Sequence, residues 1–590
     1  MHHISEVRIQ NFKSISDGLF PLSHYTPLVG YNNAGKTNII RAVGWIIKRS
    51  SLPAEDFHYT NQPIVVEAEI SGITPEVLDV IGNAHRGRIE PLVVEGRIRI
   101  RRTQMTPGQT ATTIRFEVLK HEDGQDEWVV NPAGIDTAIS ALFPEPIFIG
   151  AMENATEDVA KFGNGTTIGK LLKEIMTPVI ERHSPAVAEA LQNVGRRLSA
   201  NAADKDETLV DLDDRIQGEL SNLFPGVSVK THIPVPEFSD FMKSATIRIF
   251  EEGYENPDGR DVSSFGHGAQ RSIQIALIKC LAEVRRAGGG NAGRTTLLLI
   301  DEPELYLHPQ AIEVVRAALS RLAGDGYQVI ITTHSANMIS RLDAPNTLLI
   351  RRSIAEGTRC YPRIKDAVRE AIDDANHQSE TLFALSNSSK ILFSERVVIT
   401  EGKTERTILP AIFQNVIGAT PGEDKIGLVD IGGTPNIPDT MRVLRAMGVP
   451  CRAIVDLDFA FRIAPIKALL DPAHADLAAC KAILAQLRDN GRIGLDADGL
   501  PTKHNGVSAA AAFEILASQA DAIPCIARLH EELKAVGVWI WTKGAIEAHL
   551  GIAKTSAAHI AFIAGLADDA YRAAIPDYPS VSDAMAWLRV

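Results

Sequence analysis

A glycine-rich motif near the N-terminus has the residue types and spacing of a phosphate-binding loop. Residues 30–37 read GYNNAGKT and fit the pattern G-x-x-x-x-G-K-[ST]. An apolar segment precedes the motif and a helix-forming segment follows it, so backbone N–H groups and a helix N-terminus would face the phosphate oxygens. Lys36 would neutralise the β- and γ-phosphates, and Thr37 would offer its hydroxyl to Mg²⁺. The motif predicts an ATP site bound by Asn33, Gly35, Lys36, Thr37 and Asn38.

Two later strand ends supply the remaining groups that ATP hydrolysis needs. Residues 297–302, LLLIDE, form an apolar strand that ends in two carboxylates. Asp301 would hold the Mg²⁺ ion and Glu302 would polarise the attacking water. His334 follows the apolar residues 329–333, where it can sense the γ-phosphate. A single histidine is more often structural, but its position behind an aligned Asp–Glu strand favours a functional role.

A second glycine-rich segment precedes that strand. Residues 263–271, SSFGHGAQR, resemble the signature loop of ABC ATPases, in which a serine and glycine backbone bind the γ-phosphate held by another subunit. Ser264 and Gly268 occupy those positions here. The alternative is an ordinary glycine-rich helix cap. The signature interpretation requires two facing nucleotide sites and therefore predicts a dimer.

Acidic residues follow two apolar strands in the C-terminal third of the chain. Residues 397–405, VVITEGKTE, place Glu401 at a strand end and Glu405 four residues later. Residues 454–458, IVDLD, end another strand with Asp456 and Asp458, which would share one face of that strand. Oxygen-rich clusters select Mg²⁺ or Mn²⁺, and carboxylates this close are costly without a cation. The alternative is a pair of solvated acidic turns.

The apolar pattern predicts the elements that position these residues. The first part of the chain is expected to hold strands with one helix after the phosphate loop, and the strands are residues 7–12, 63–70 and 92–101. Helices are expected at 167–223 with a polar break at 201–207, followed by strands at 227–235, 245–251, 296–300 and 329–331 and a helix at 310–323. A polar connector, 374–390, leads to strands 397–400, 426–431 and 453–455, with helices 404–416 and 438–447 between them. This βαβαβ order predicts a second sheet with its own core.

Length and composition limit the classes of protein to be considered. At 590 residues the chain exceeds one ordinary domain, and no apolar run or basic N-terminus suggests a membrane span or a secretory signal. The five cysteines form no CxxC pair, which argues against a zinc ribbon or a disulfide framework and indicates a reducing cytoplasm. The net charge of −13 neither supports nor excludes nucleic acid, because an acidic protein can carry a local basic groove.

The N-terminal motifs together resemble the ABC/SMC/RecF superfamily of ATPases. Residues 9–15, IQNFKSI, are similar to the first strand and turn of the branch that acts in DNA metabolism. Relatives carry helical arms or a coiled coil between the phosphate loop and the signature. Residues 167–223 are too few for a long arm and lack sustained heptads, so a compact dimerisation insert is expected.

The C-terminal motifs resemble the Toprim domain, which topoisomerases, DnaG-type primases and some nucleases share. An ABC-type ATPase followed by Toprim resembles the OLD (overcoming lysogenization defect) family of nucleases over essentially the whole sequence. The resemblance implies ATP and Mg²⁺ or Mn²⁺ as cofactors and two-metal cleavage of DNA, with the ligands Glu401, Glu405, Asp456 and Asp458. An aspartate is frequent where Glu405 stands.

The same resemblance implies a late acidic ligand and a catalytic lysine. Residues 539–547, WIWTKGAIE, are the best local match and make Glu547 the ligand. Lys554 or Lys543 would stabilise the pentacovalent phosphate, although an ordinary helix with surface lysines would look the same. A role in phage defence or DNA repair is also implied, and an accessory protein is left open.

These inferences predict an α/β protein with an ABC-type P-loop ATPase, a helical dimerisation insert and a C-terminal Toprim domain of Rossmann-like architecture. The expected boundaries are 1–160 and 226–385 for the ATPase, 161–225 for the insert and 390–590 for Toprim. A topoisomerase would need a tyrosine nucleophile in context, and a primase usually brings a zinc-binding segment. The serious alternative is a DNA-binding sensor or scaffold with an inactive Toprim domain, which the four intact carboxylates argue against.

Overall fold

The computed structural model describes most of the chain outside the middle region. The described residues are 1–122, 124–151, 197–201, 204–221, 227–233, 247–253, 257–287, 294–374, 390–431 and 433–589, with single residues at 176, 182, 183, 185, 186, 189, 191, 224, 378 and 381. The contacts divide the chain into two compact units. The first unit is Met1–Tyr25 with Thr37–Thr333, and the second is Thr26–Lys36 with His334–Val590.

An antiparallel six-stranded sheet in the first unit has the order β2-β1-β4-β5-β6-β7. Its strands are β1 His3–Phe12, β2 Ile15–Pro21, β4 Ile64–Ser71, β5 Arg97–Gln104, β6 Arg115–Glu122 and β7 Gln125–Val130. In β4 every second residue from Ile64 to Ile70 is buried, as expected of a sheet with one face on a core.

Two predictions for this part of the chain are wrong in detail. The strand expected at 92–101 begins only at Arg97, because Glu90–Leu92 form a 3₁₀ turn and Gly96 turns the chain with a φ of 72°. Besides α1 (Lys36–Ile47) there are further helices, namely α2 Pro75–Val80, α3 Asn83–Ile89 and α4 Ile135–Leu142.

A parallel arrangement in the same unit places β11 (Thr296–Ile300) between β8 (Ile147–Ile149) and β12 (Tyr327–Thr333). Every residue of β11 and β12 is buried, which is typical of a strand covered on both faces. The helix after β11 is α7 (Pro309–Leu322), as predicted. The signature segment leads into α6 (His267–Ala287), so Gly268 lies inside the first helical turn and not in a loop before it.

Predictions for the middle of the chain fare differently. A helix, α5 (Glu207–Ser221), occupies part of the segment predicted to be helical, and most of 167–206 lies outside the described residues. Residues 227–233 are not a strand, and within the described residues 247–251 the structure forms the two-residue strand β9 (Arg248–Ile249), paired with β10 (Arg260–Asp261). Most of the predicted connector at 374–390 is likewise outside the described part of the chain.

The second unit contains the strand before the phosphate loop. This strand, β3 (Tyr25–Val29), pairs in parallel with β13 (Leu348–Ser353), which forms a hairpin with β14 (Gly357–Tyr361). Val29 and Leu349 belong to the same hydrophobic core as Val397 and Ala453 of the C-terminal sheet. The expectation of two separate cores is therefore wrong, because β3 and β13 bury apolar side chains against the C-terminal domain.

The C-terminal sheet of the second unit has four parallel strands in the order β16-β15-β17-β20. Its strands are β15 Arg396–Thr400, β16 Ile426–Asp430, β17 Cys451–Val455 and β20 Val538–Ile540, and a small hairpin is formed by β18 Gly494–Leu495 and β19 Pro501–Thr502. The predicted intervening helices are confirmed as α10 (Lys403–Ile417) and α11 (Ile437–Ala446). A fourth strand, β20, was not predicted.

Further helices surround this sheet. They are α8 Ile364–Ala371, α9 Lys390–Phe393, α12 Phe459–Arg462, α13 Ala475–Asp489, α14 Ala509–Ala517, α15 Ile523–Ala535, α16 Ile546–Leu550, α17 Ser556–Gly565, α18 Asp569–Ala573 and α19 Tyr578–Arg589. The helices and parallel strands together give the α/β class that the sequence predicts. Within the described ranges, no helix is long and apolar enough to cross a membrane.

Candidate active sites

The phosphate loop of the second unit holds its lysine by internal contacts. Lys36 is buried, and its Nζ donates to the backbone carbonyls of Gly30 and Tyr31 at 2.9 Å each. The same Nζ lies 2.8 Å from Nε2 of His334. Lysine and histidine, which the sequence places on different motifs, are therefore side by side, and both Asn33 and Gly35 have the positive φ that a tight loop requires.

The first unit holds the residues predicted to bind and activate Mg²⁺ and water. The Thr37 hydroxyl donates to both carboxylate oxygens of Asp301, at 3.1 and 3.0 Å, and the Thr332 hydroxyl donates to Oδ1 of the same carboxylate. Asn38 donates to Oγ of Ser14 at 2.8 Å, in the turn between β1 and β2. Thr37 and Asp301, both predicted to serve Mg²⁺, are thus joined by direct hydrogen bonds.

Glu302 lies in a strained backbone conformation that its neighbours stabilise. Its φ is 47°, a left-handed value that costs a non-glycine residue about 1–3 kcal/mol. Its N–H donates to Oγ1 of Thr332 at 3.0 Å. From α6, Nη2 of Arg271 donates to the carbonyls of Asp301 (3.2 Å) and Glu302 (2.7 Å). Arg271 is only 2% exposed, and burial lowers its pKa while the nearby carboxylates oppose that shift.

Sequence reasoning did not identify Arg271, although it ends the signature-like segment. The arginine attaches the helix that begins at His267 to the turn that carries the two carboxylates. The His267 ring also stacks on Tyr306, with ring centroids 5.5 Å apart. Ser264 is exposed in a short 3₁₀ turn, and Gly268 is half-buried. Both predicted signature residues are therefore on or next to an exposed helix start.

The C-terminal sheet of the second unit brings the other predicted residues to one edge. Glu401 follows β15, Asp456 follows the adjacent strand β17, and Glu547 lies in α16, shortly after β20. Since carboxyl ends of parallel strands meet at one edge of a sheet, their side chains converge there. Oε2 of Glu401 accepts the N–H of Asp456 at 2.8 Å, and Oε1 accepts the hydroxyl of Thr434 at 3.2 Å.

The second carboxylate of each pair sits in a helical turn. Glu405 is buried in the first turn of α10, and its Oε2 accepts the N–H of Gly402 at 3.2 Å. Asp458 has a φ of −62° and a ψ of −22° and immediately precedes α12. The expectation that Asp456 and Asp458 share one face of a strand is wrong, because β17 ends at Val455 and the chain turns at once.

The two candidate lysines have different surroundings. Nζ of Lys554 lies 3.7 Å from Oδ2 of Asp456, and this side chain is 59% exposed. Burial works against its charge, but Asp456, Glu547, Glu405 and Glu401 outweigh that effect and raise its pKa. Lys543 instead pairs with Asp577 at 3.0 Å. Of the alternatives that the sequence left open, the geometry supports Lys554.

Burial governs the protonation of the clustered acids. It raises the pKa of Glu401, Glu405 and Asp458, and it raises the pKa of Asp456 well above the ordinary value. Neighbouring carboxylates add to the shift for Glu401, Glu405 and Asp456, whereas Arg462 and Lys554 oppose it for Asp458. The cluster therefore favours protons or cations over bare negative charge.

Several carboxylate oxygens here are buried without any hydrogen-bond partner. They are Oδ1 of Asp456, Oδ1 of Asp458 and both oxygens of Glu547. In the part of the chain that the structure describes, no three acidic, histidine or cysteine side chains stand close enough to form a complete metal shell. The carboxylates of Glu401 and Glu405 turn instead toward backbone donors. Buried oxygens of this kind need a cation, so the donor set fits a hard divalent metal ion.

Two further residues near this edge were not predicted. Nε of Arg462 lies 4.0 Å from Asp458, and its Nη1 lies 3.6 Å from Asp496. Glu514 of α14 packs against Gly544, where a Cβ atom would approach its Cγ to 2.6 Å, and burial together with Glu547 raises its pKa. A lone acid in the alanine-rich segment 509–517 was the available signal for Glu514.

Comparisons with known proteins find an ATPase domain and a TOPRIM domain in this chain. The AAA ATPase domain model matches residues 153–339, and the model of the Overcoming lysogenization defect protein-like TOPRIM domain matches 392–458. The Old nuclease of Escherichia phage P2 is 36% identical over 99% of each chain. The OLD nuclease of Thermus scotoductus is 22% identical, over 77% of this chain and 82% of the relative.

A solved Smc head bound to the C-terminal winged-helix domain of ScpA aligns with 61% of this chain and 96% of its own length, at 14% identity. Its TM-score of 0.36 is too low to establish a shared fold. The match to the phage P2 nuclease, by contrast, extends across 99% of the chain. The chain therefore belongs to the OLD nuclease family, in which an ATPase domain and a Toprim nuclease domain share one polypeptide.

Proposed function

We propose that this protein is an ATP-regulated DNA endonuclease that cuts phosphodiester bonds at the acidic edge of the C-terminal sheet, using Mg²⁺ or Mn²⁺. The observation that carries the proposal is the set of buried oxygens without a hydrogen-bond partner on Asp456, Asp458 and Glu547, with Lys554 beside Asp456. A structural acidic turn would leave these oxygens solvated or hydrogen-bonded. The carboxylates instead form a donor set suited to divalent cations.

The metal ligands in this proposal are Glu401, Glu405, Asp456, Asp458 and Glu547. Two divalent ions held there would activate a water molecule and stabilise the leaving oxygen. Glu401 and Asp456 are already linked, because the N–H of Asp456 donates to the Glu401 carboxylate at 2.8 Å, and this bond ties the side chain after one strand to the end of the next. Glu405 would rotate away from the Gly402 N–H to reach an ion, a movement within the reach of its longer side chain.

Lys554 orients the scissile phosphate in this scheme. Its Nζ lies 3.7 Å from Asp456 and remains accessible, so it can contact an anionic oxygen of the DNA backbone while it stays paired with the cluster. The raised pKa of Lys554 keeps the ammonium charged at neutral pH. A charged donor aimed at the phosphate is most useful when negative charge builds up in the transition state.

ATP hydrolysis is assigned to the P-loop motifs. Lys36 would exchange the carbonyls of Gly30 and Tyr31 for the phosphates of ATP. Thr37 and Asp301, already hydrogen-bonded, would hold Mg²⁺, and Glu302 would polarise the attacking water. His334, 2.8 Å from the Lys36 ammonium, is suited to sense the γ-phosphate. Asn33, Gly35 and Asn38 would complete the nucleotide site.

The exposed position of Ser264 and the helix start at Gly268 support a nucleotide site shared between two copies of the chain. If so, Lys36→Ala subunits and Ser264→Arg subunits, each inactive alone, should regain ATP hydrolysis at some sites when mixed. The phosphate release of a mixture is measured against each variant at the same total concentration. A mixture no more active than its parts, from protein that is monomeric with ATP bound, contradicts the shared site.

The nuclease proposal is tested on supercoiled plasmid, with Mg²⁺, Mn²⁺ and ATP each added or left out. We expect nicked or linear product only when a divalent ion is present.

The free state of all five cysteines is consistent with a cytoplasmic enzyme. A role in phage defence or DNA repair rests on family membership and is tested by comparing phage plating on cells with and without the intact gene.

A further inference from the structure

The hairpin β13–β14 contacts the phosphate loop at three points within the second unit. A Cβ atom on Gly30 would lie 2.3 Å from the carbonyl oxygen of Ile350, so the loop backbone touches β13 directly. The Thr358 hydroxyl donates to the carbonyl of Ala34 at 2.8 Å. The Arg351 guanidinium lies over the Tyr31 ring, 4.4 Å from its centroid. A change in the backbone conformation of the phosphate loop would therefore alter its contacts with this hairpin.

Arg351 extends that contact to the nuclease domain. Its Nη2 donates to the carbonyl of Ser394 at 2.8 Å, two residues before β15. Nζ of Lys425, the residue before β16, also lies 5.0 Å from the centroid of the Tyr31 ring and is paired with Glu395 at 2.6 Å. Two cations that emanate from different elements thus meet on one aromatic ring of the phosphate loop.

The first residues of β15 and β16 are hydrogen-bonded to each other and closely packed. We call this contact the joint. The N–H groups of Glu395 and Arg396 both donate to the carbonyl of Lys425, at 3.0 and 3.3 Å. A Cβ atom on Gly427 would come within 2.2 Å of Oγ of Ser394, so only glycine fits there. From this joint β15 runs in extended form to Thr400, and the next residue is Glu401. A displacement at Ser394 is passed along the strand, because packed strands do not compress.

We propose that Tyr31 is a positioning residue for the nuclease, through which the nucleotide state of the phosphate loop, relayed by Arg351 and Lys425, sets the placement of Glu401. This inference rests on the proposed function of the two sites and names how one regulates the other. The trigger is Lys36, whose Nζ bonds the carbonyl of Tyr31 at 2.9 Å. Once Lys36 turns to phosphate, that carbonyl loses a donor and the loop around Tyr31 must adjust.

Ordinary packing does not account for Arg351. Burial lowers its pKa to about 10, and its Nη1 is buried without a hydrogen-bond partner. A buried cation with an unsatisfied donor is less stable than an apolar side chain of the same volume would be. An arginine at this position is explained if the cation must contact the Tyr31 ring and the carbonyl of Ser394 at the same time.

The first test measures the ratio of plasmid cleavage with ATP to cleavage without ATP in the full-length protein. Arg351→Met keeps the volume but removes the cation, and Arg352→Met, the exposed neighbour, is the matched control. In the wild type and the control this ratio departs from one by a factor typical of allosteric coupling, about 5–150 in either direction, and in Arg351→Met it falls to within about twofold of one. A ratio in Arg351→Met equal to that of the wild type overturns the proposal.

The second test does not depend on cleavage. Hydrogen exchange of peptides covering residues 394–400 is compared with and without a non-hydrolysable ATP analogue. The analogue should change exchange by at least about fivefold in the wild type and in Tyr31→Phe, which keeps the ring, but not in Tyr31→Leu or Arg351→Met.

A response that survives in Tyr31→Leu, or that is absent from the wild type, overturns the link. If the exchange pattern follows the prediction while no variant cuts plasmid, the link stands and the nuclease proposal fails.

Discussion

The nucleotide-binding residues and the acidic edge of the C-terminal sheet differ in how many hydrogen bonds their charged side chains make. Lys36 is surrounded by two carbonyls and His334, and Asp301 accepts from Thr37 and Thr332. At the acidic edge, oxygens of Asp456, Asp458 and Glu547 are buried with no hydrogen-bond partner. The nucleotide-binding residues are saturated by internal hydrogen bonds, whereas the acidic edge keeps buried carboxylate oxygens that no hydrogen bond satisfies.

The difference indicates how each site meets its ligand. A saturated site exchanges internal hydrogen bonds for bonds to the ligand, so binding changes the loop that holds those bonds, which suits a regulatory switch. An acidic site with unsatisfied oxygens gains strongly from a cation, which suits a metal-dependent catalytic centre.

The largest expected effect is on ATP hydrolysis, measured separately from ATP binding at the nucleotide-binding residues. Glu302→Gln should retain ATP binding and lower hydrolysis by about 10²–10⁴, the usual contribution of a group that handles the proton of the attacking water. Phosphate release and nucleotide affinity are measured on the same preparation, with Lys36→Ala expected to weaken the affinity itself. Hydrolysis near the wild-type rate in Glu302→Gln would remove Glu302 from its assigned role.

A second effect compares two lysines near the acidic edge. Lys554→Met should lower plasmid cleavage by about 10² or more, because it removes the charged donor beside Asp456. Lys543→Met is the matched control, since Lys543 is paired with Asp577 and should matter much less. Initial rates at saturating Mn²⁺ distinguish the two. Equal losses in both variants, or a larger loss in Lys543→Met, would reverse the assignment.

The smallest expected effect is on the melting temperature, and it tests the difference between the buried carboxylates at the acidic edge and the hydrogen-bonded carboxylate of Asp301. Without added metal, Asp456→Asn should raise the melting temperature, since it removes buried negative charge, whereas Asp301→Ala should lower it by breaking the Thr37 and Thr332 hydrogen bonds. Changes of about 2–4 °C per kcal/mol are expected for domains of this size.

The pH dependence of this stabilisation has a definite sign. The pKa of Asp456 is raised in the folded state, so its destabilising effect is small below its unfolded pKa and grows as the pH rises. The gain in Asp456→Asn should therefore be larger at alkaline than at mildly acidic pH. Mn²⁺ should raise the melting temperature of the wild type more than that of Asp456→Asn. Destabilisation by Asp456→Asn would contradict the contrast.

The motifs and the central strands were predictable because their signals are local. The strands that precede Lys36, Asp301, Glu401 and Asp456 are short apolar runs that end in polar residues, and all are present. The strand predicted at 245–251 is reduced to the two residues of β9 within the described residues 247–251, because alternation of apolar residues over a short stretch also occurs in irregular chain. Asp458 was placed on a strand because sequence does not show where β17 gives way to a turn.

Residues that act through distant contacts could not be predicted. Arg271, Arg351 and Glu514 look like surface residues of a helix, a strand and a helix, and only the tertiary structure shows what they touch. The shared core of β3, β13 and the C-terminal sheet was missed for the same reason, because apolar strands do not reveal which neighbour covers them. The sequence did not decide between Lys554 and Lys543 as the catalytic lysine. The distance of Lys554 to Asp456 in the structure supports Lys554.

The central claim is that DNA is cut at the acidic edge, and Asp458→Ala tests it most directly. Plasmid cleavage and ATP hydrolysis are measured on one preparation of this variant and on the wild type, purified in parallel to exclude contaminating nuclease. We predict that cleavage is lost while hydrolysis stays within about threefold of the wild type, because Asp458 is a proposed metal ligand and contacts no nucleotide-binding residue. Cleavage by Asp458→Ala at the wild-type rate would contradict the assignment and favour a DNA-binding sensor with an inactive Toprim domain.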